Sequence, residues 1–168
     1  MRDTFCDSKL HGCPCGFYRD PIKEYSCSAS AIARYQKRIT GSLLDRIDIH
    51  VEVPRVDYEK LADKRNVENS ETVRKRVQAA RERQLRRFKG TKLTCNAEMG
   101  PSEVREFCGV EPSAEKLLKA AMQQLHLSAR AFHRVLKLAR TIADLAECDS
   151  IAANHLAEAI QYRPRVGM

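Results

Sequence analysis

The stretch Leu127-Ser128-Ala129-Arg130-Ala131-Phe132-His133-Arg134-Val135-Leu136-Lys137-Leu138-Ala139-Arg140-Thr141-Ile142-Ala143-Asp144-Leu145-Ala146 decides the fold class. Ser128 is a good N-cap residue, because its hydroxyl can accept from an amide of the first turn. Beyond it, Phe132, Val135, Leu136, Ala139, Ala143 and Ala146 recur at spacings of three and four. That period predicts an amphipathic helix from Ser128 to Ala146 with this stripe buried. Arg130, Arg134, Lys137 and Thr141 fall on the opposite, polar face.

The segments on either side repeat the pattern. Downstream, Ser150 is placed to cap a last helix with Ala153, Leu156, Ala157 and Ile160 as its stripe. Upstream, Ser113 opens a helix to about Leu125, and Ser102 with Glu103 opens a brief one to Cys108. Lys92 to Asn96 is a linker or short extended piece, and Gly90 is a natural stop for the helix before it. That helix spans Glu71 to Phe88, with Val73, Val77, Ala80 and Phe88 as its stripe and Gln84 interrupting it. Tyr58 to about Arg65 is a further short helical candidate. The chain is therefore predicted to be mainly α.

The amino-terminal third differs. Residues 1–27 carry Cys6, Cys13, Cys15 and Cys27, glycines and prolines without apolar periodicity, and read as a poorly ordered loop. Ser28 or Ser30 can cap a helix through Arg38, with Ile32, Tyr35 and Ile39 on one side. After Gly41-Ser42, the run Ile47-Asp48-Ile49-His50-Val51-Glu52-Val53 alternates apolar and polar residues and reads as a strand ended by Pro54. One strand cannot satisfy its own backbone groups. Either another strand lies in a segment read as loop, or its partners belong to other polypeptide. The organisation expected is a loop at 1–27, a helix–strand segment at 28–55 and a helical domain at 56–168.

Composition sets the frame for function. The 168 residues are long enough for a real core, and 43% hydrophobic with 31% charged residues excludes collagen-like and wholly disordered chains. No apolar run approaches the ~18 residues of a membrane span, and no signal-peptide core follows Met1. A reducing, cytoplasmic setting is expected, and no membrane partner. There the seven cysteines suggest metal or free thiols before disulfides. The net charge of +8 suits a polyanion partner or a solvated basic surface.

Four constellations could carry chemistry. Cys13, Cys15 and Cys27 could hold zinc, with Cys6 or His11 as a fourth ligand, or could be free thiols. Arg46, between Asp45 and Asp48, could reach a phosphate on a neighbouring subunit or pair within the chain. Arg130 and Arg134 could clamp a nucleotide phosphate or lie on a solvated face. Arg74, Lys75, Arg76, Arg81, Arg83, Arg86, Arg87 and Lys89 give one helix an excess of six positive charges, which suits contacts to a nucleic-acid backbone. No Gly-x-x-x-x-Gly-Lys-Ser/Thr loop, His-Glu-x-x-His or Ser-His-Asp pattern is present.

Several of these motifs occur together in an order that resembles the magnesium-chelatase-like AAA+ ATPases, in their ComM/YifB branch. They are Cys13-Pro14-Cys15-Gly16-Phe17-Tyr18, Asp20-Pro21 and Gly41-Ser42-Leu43-Leu44-Asp45-Arg46-Ile47-Asp48-Ile49-His50-Val51-Glu52-Val53-Pro54, then Ala79 to Gln84, Leu127 to Phe132, Ala139 to Ala146 and His155 to Arg163. The resemblance implies a helical AAA+ lid preceded by a remnant of the α/β core: one helix, one strand and the cysteine loop. It implies that Arg46 is an arginine finger acting in trans, and that Arg130, with Arg134, senses nucleotide phosphate. It further implies a six-membered ring that uses ATP and Mg2+ to move DNA branches in natural transformation. Arg74, Lys75, Arg81, Arg86 and Arg87 are the expected DNA contacts. The phosphate loop and magnesium motif of such ATPases are absent from this sequence, so the chain is expected to be a carboxy-terminal portion, inactive alone and completed by an amino-terminal half. Tyr25 stands where the family has a cysteine, and His11-Gly12 where it has Asn-Pro. A stand-alone basic nucleic-acid-binding module is the other expectation.

Overall fold

A computed structural model describes residues 13–17, 23–24, 26–38, 47–51, 53 and 68–163. The chain divides into two compact units, one of Met1–Arg46 with Val53–Asp57 and one of Ile47–Glu52 with Tyr58–Met168. The described residues are mainly helical, as expected, and form no β ladder.

In the first unit, helix α1 spans Ala29–Arg38. Ser28 caps it, its Oγ accepting from the Ala31 amide at 3.3 Å. Ile32 and Tyr35 are half-buried. Among the described residues of this unit, Cys13 alone is a fully buried side chain.

The second unit is a helical bundle. Helix α2 covers Ser70–Arg87, a 3-10 turn Asn96–Glu98, α3 Pro101–Phe107, α4 Pro112–Gln124, α5 Ala129–Leu145 and α6 Ala153–Gln161. Helix α5 is the hub. It packs against α6, α2, α3 and the 3-10 turn, while α4 leans on α6. Ser128 caps it as expected, accepting from the Ala131 amide at 3.2 Å. Val135, Leu136, Ala139 and Ala143 are buried as the stripe requires, but Ala146 falls beyond the helix and is exposed. The core closes around them with Phe88, Met99, Val104, Leu118, Ile151 and Leu156. Phe88 and Phe107 meet edge to face, 5.3 Å between centroids, the geometry that aromatic quadrupoles favour.

Two connections are pinned to each other. Val110 and Ile151 form a parallel bridge, in which the Ile151 amide donates to Gly109 O at 2.9 Å and the Glu111 amide to Ile151 O at 3.0 Å. Helix α5 ends on Glu147 with φ of 59°, in the left-handed region where glycine is usual. The Cys148 amide reaches back to Ala143 O at 2.9 Å, closing the turn. Gly90, with φ of 87°, ends the turn after α2 as the sequence suggested.

Several expectations need correction. The run from Ile47 to Val53 is not a strand in any described residue. The His50 amide donates to Tyr162 O at 2.9 Å, while Ile49, Val51 and Val53 are 50%, 64% and 80% exposed. Alternation makes a strand only where a neighbouring strand takes the hydrogen bonds, and none is present among the described residues. The stripe of α2 is also different. Val73 and Val77 are exposed and Gln84 is buried, because only the carboxy-terminal half of α2 meets the bundle. Gln84 Oε1 accepts from the Asn96 amide at 3.1 Å, which makes a polar side chain acceptable there. Ser150 does not cap α6. Ala152 is the N-cap, its amide donates to His155 Nδ1 at 3.2 Å, and Ser150 Oγ donates to Glu111 Oε1 at 2.6 Å. The helix expected at 58–65, Arg46, Cys6, His11 and residues 1–12 as a whole lie outside the described residues. Among the described residues no helix is long and apolar enough to cross a membrane.

Candidate functional site

The polar face of α5 begins with its cap. Ser128, Ala129 and Arg130 are exposed at the start of the helix, where the helix dipole favours negative charge. Arg130 is exposed in that first turn and Arg134 lies one turn on. They line a depression of about 290 Å³ with His133, Lys137, Met99, Gly100 and Pro101. Lys137 is steered by its own bond, Nζ donating to Ala97 O at 2.9 Å. Thr141 Oγ1 donates to Lys137 O at 3.0 Å and accepts from Asn96 Nδ2 at 3.0 Å. Arg134 Nε lies 3.3 Å from Asp48 Oδ1.

Such a depression can bind an anion. Two guanidinium forks and an ammonium at a helix N-terminus match phosphate oxygens. Its lining holds no carboxylate, and its charged side chains are all basic, so anion binding and sensing are the chemistry it suits best. Nor do the described carboxylates converge to hold Mg2+. The one metal-competent group among the described residues is a trio of thiols.

Under the α5 face lies an ionic cluster that the sequence reading missed. Arg140 and Asp144 are both fully buried, with Arg140 Nη2 3.1 Å from Asp144 Oδ1. Arg87 of α2 forks onto the same carboxylate, Nη1 to Oδ2 at 2.9 Å and Nη2 to Oδ1, and also reaches Asn96 Oδ1 at 3.0 Å. Asn96 Nδ2 adds a bond to Asp144 Oδ2 at 2.8 Å. Arg140 also donates from Nη2 to the Cys148 carbonyl and from Nη1 to that of Asp149, which holds the left-handed turn after α5. Burial alone would raise the Asp144 pKa. The hydrogen bonds from Arg87 and Asn96 and the charges of Arg140 and Arg87 outweigh it, so the carboxyl sits below its ordinary value. The signal was legible in principle: Leu136, Arg140 and Asp144 are four apart and so share the buried side of α5.

Arg87, expected among the nucleic-acid contacts, is thus turned into the protein and held by Asp144. The other four expected contacts are on the surface. Arg74, Lys75, Arg81 and Arg86 are exposed, with Lys75 paired to Glu71 at 2.8 Å. Arg76 is paired to Glu68 at 3.0 Å, and Arg83 donates to Asp149. A second depression, of about 320 Å³, is lined by Arg83, Arg86, Arg87 and Asp149. The structure therefore brings Arg130 and Arg134 together and strings Arg74, Lys75, Arg81 and Arg86 along α2.

The cysteine trio also converges. Cys13, Cys15 and Cys27 have their sulfurs within 4.8 Å of one another, Cys13 and Cys15 at 3.1 Å. Gly16, with φ of 81°, turns the chain, and its amide donates to Cys13 O at 3.1 Å. The Cys15 thiol is held down at about 7, first by the Phe17 backbone amide and then by Cys13. Cys95 and Cys108 are buried, and Cys148 is half-buried. Burial pushes the Cys108 thiol up to about 11.

Comparison with known proteins follows the same division. The family described as magnesium chelatase, subunit ChlI C-terminal, matches residues 67–163, and that described as magnesium chelatase, subunit ChlI, matches residues 8–61. The uncharacterized protein YifB of Escherichia coli is 40% identical over 152 residues, covering 89% of this chain and 29% of that protein. The competence protein ComM of Haemophilus influenzae is 39% identical over 140 residues, covering 83% of this chain and 27% of that protein. An uncharacterized protein of Mycobacterium tuberculosis is 33% identical over 154 residues, 90% of this chain and 29% of its own length. The chain thus spans under a third of the length of these relatives.

Proposed function

The chain belongs to the magnesium chelatase ChlI family, and from that premise we propose that it works as the nucleotide-sensing lid of a ComM/YifB-like AAA+ ATPase. Arg130, seconded by Arg134, contacts the phosphates of bound ATP. Arg46 acts as the arginine finger, reaching the nucleotide of a neighbouring subunit in a ring. The observation that carries this reading is the basic depression at the start of α5, lined by Arg130, His133, Arg134 and Lys137. ATP fits the donors that line the depression. Mg2+ does not, so the ion and the phosphate loop come from an amino-terminal core.

The role of these residues is electrostatic. Guanidinium groups at the phosphates offset the charge that develops during phosphoryl transfer, and an arginine finger is worth about 10³–10⁵ in rate. The chain by itself lacks a phosphate cradle and is expected to turn over no ATP above buffer. The test is reconstitution with the amino-terminal core of a family member, followed by steady-state ATPase assay. Arg46→Ala is expected to abolish turnover by the factor given above, and Arg130→Ala to weaken it strongly while leaving the helical circular dichroism unchanged. Full activity of the reconstituted Arg130→Ala variant would overturn the reading. So would turnover by the isolated chain that Arg130→Ala removes.

The exposed half of α2 favours a second role on the same protein, contact with DNA. Arg74, Lys75, Arg81 and Arg86 can meet successive phosphates without reading sequence. The competence name of the Haemophilus relative fits a DNA substrate, and branch movement in transformation is the work we assign to the complete motor. Binding should fall steeply with salt. The double variant Arg81→Ala/Arg86→Ala should reduce the log–log slope by about 2 if each arginine neutralises one phosphate. Salt-independent binding removes this role.

A further inference from the structure

Away from α5 and α2, the described side chains converge most closely at Cys13, Cys15 and Cys27. We propose that these three thiols form a zinc site that fastens the Cys13–Phe17 turn to the entrance of α1. The site is independent of the nucleotide reading and stands on three observations.

The first is geometry. The three sulfurs lie within 4.8 Å of one another, brought there by a glycine-assisted turn and by a residue 12 positions away that adjoins the α1 cap, Ser28. A tetrahedral zinc with Zn–S bonds of about 2.3 Å needs its sulfurs roughly 3.8 Å apart. Cys13 and Cys15, now at 3.1 Å, need to separate by only part of an ångström, and the Cys27 sulfur lies within 4.8 Å of both.

The second is donor chemistry. The group is all sulfur, which suits a borderline-soft ion such as zinc and gives nothing to calcium or magnesium. A Cys13–Cys15 disulfide would use two of the thiols and leave Cys27 without a role. Zinc uses all three and leaves its fourth position for water or another donor.

The third is structural need. Among the described residues of this unit, only Cys13 is fully buried, whereas the helical unit has a continuous apolar core. Where the described residues offer so little burial, a bound metal can supply the cross-link that a core otherwise gives. Binding proceeds by replacement: each thiol enters as thiolate and releases its proton to solvent, three protons per zinc ion.

The test uses the full chain purified under reducing conditions without chelator. Elemental analysis is expected to find about one zinc per chain. Cobalt substituted for zinc should give intense thiolate-to-metal absorption. In competition with a chromophoric chelator, Cys15→Ser should weaken zinc binding by at least about 100-fold, more than loss of an outer partner costs. Cys148→Ser should leave it unchanged. Where a variant fails to fold, alkylation of the wild-type chain decides the matter. Bound zinc should shield Cys13, Cys15 and Cys27 but not Cys148, and chelation should expose them. Absence of zinc after reconstitution, equal zinc affinity in Cys15→Ser, or a Cys13–Cys15 disulfide in the reduced chain would each overturn the site.

Discussion

The bundle and the cysteine-bearing unit hold themselves together by opposite means. The bundle buries apolar side chains around α5 and then places a carboxylate and two arginines among them. The cysteine-bearing unit has one fully buried described side chain and brings sulfurs together instead. The first arrangement sets its buried charges against one another. For the second we propose an ion. Packing and paired charge can therefore carry a fold without metal, whereas thiols in a turn become structural through coordination.

The largest test of that contrast is Asp144→Ala. It would strand Arg87 and Arg140 in the core without their counter-charge, and loss of one partner from a buried pair costs about 3–5 kcal/mol. Urea unfolding followed by circular dichroism measures it. A cost near zero would mean that apolar packing alone holds the bundle. Acid comes next. Because the Asp144 carboxyl is held below its ordinary value, it stabilises the fold above the unfolded-state pKa of about 4. That contribution is lost as pH falls through the depressed folded value. Thermal melts should show the wild type losing stability more steeply below about pH 4 than Asp144→Asn does. A smaller effect, about 1 kcal/mol, is expected for Ser128→Ala, which removes the α5 cap. It should also loosen the first turn, which carries Arg130. The smallest belongs to Val77→Ala on the exposed half of α2, within about 0.5 kcal/mol. A larger loss would show that this half of α2 is covered in solution.

How much of this was legible depended on how local each cause was. Ser128 and the stripe from Val135 to Ala143 were read correctly, because a cap and a helical period act within a few residues. The partner decided the rest. Val73 and Val77 fit the helical period yet stay exposed, since α2 meets the bundle only in its second half. Gln84 looked like an interruption until Asn96 arrived from elsewhere in the chain, and the Arg140–Asp144 pair, though local, gained its burial only from the elements packed over it. The alternation from Ile47 to Val53 marks residues able to enter a sheet, but no local pattern supplies the neighbour. Arg130 and Arg134 were found on one face from spacing alone, while their depression depends on Met99 to Pro101 folding up against them. The cysteine spacing named the trio, and only the fold could bring Cys27 to the other two.

The buried carboxylate has a mechanical meaning as well. Helix α5 is gripped near its far end, where Arg140 and Asp144 are clasped by the turn after it and by Arg87 of α2. Its other end, with Arg130, faces solvent. Arg130 lies about 21 Å from Asp144 along the axis, at the rise of an α-helix. The fork from Arg87 ties that anchorage to α2, along which Arg74, Lys75, Arg81 and Arg86 stand exposed.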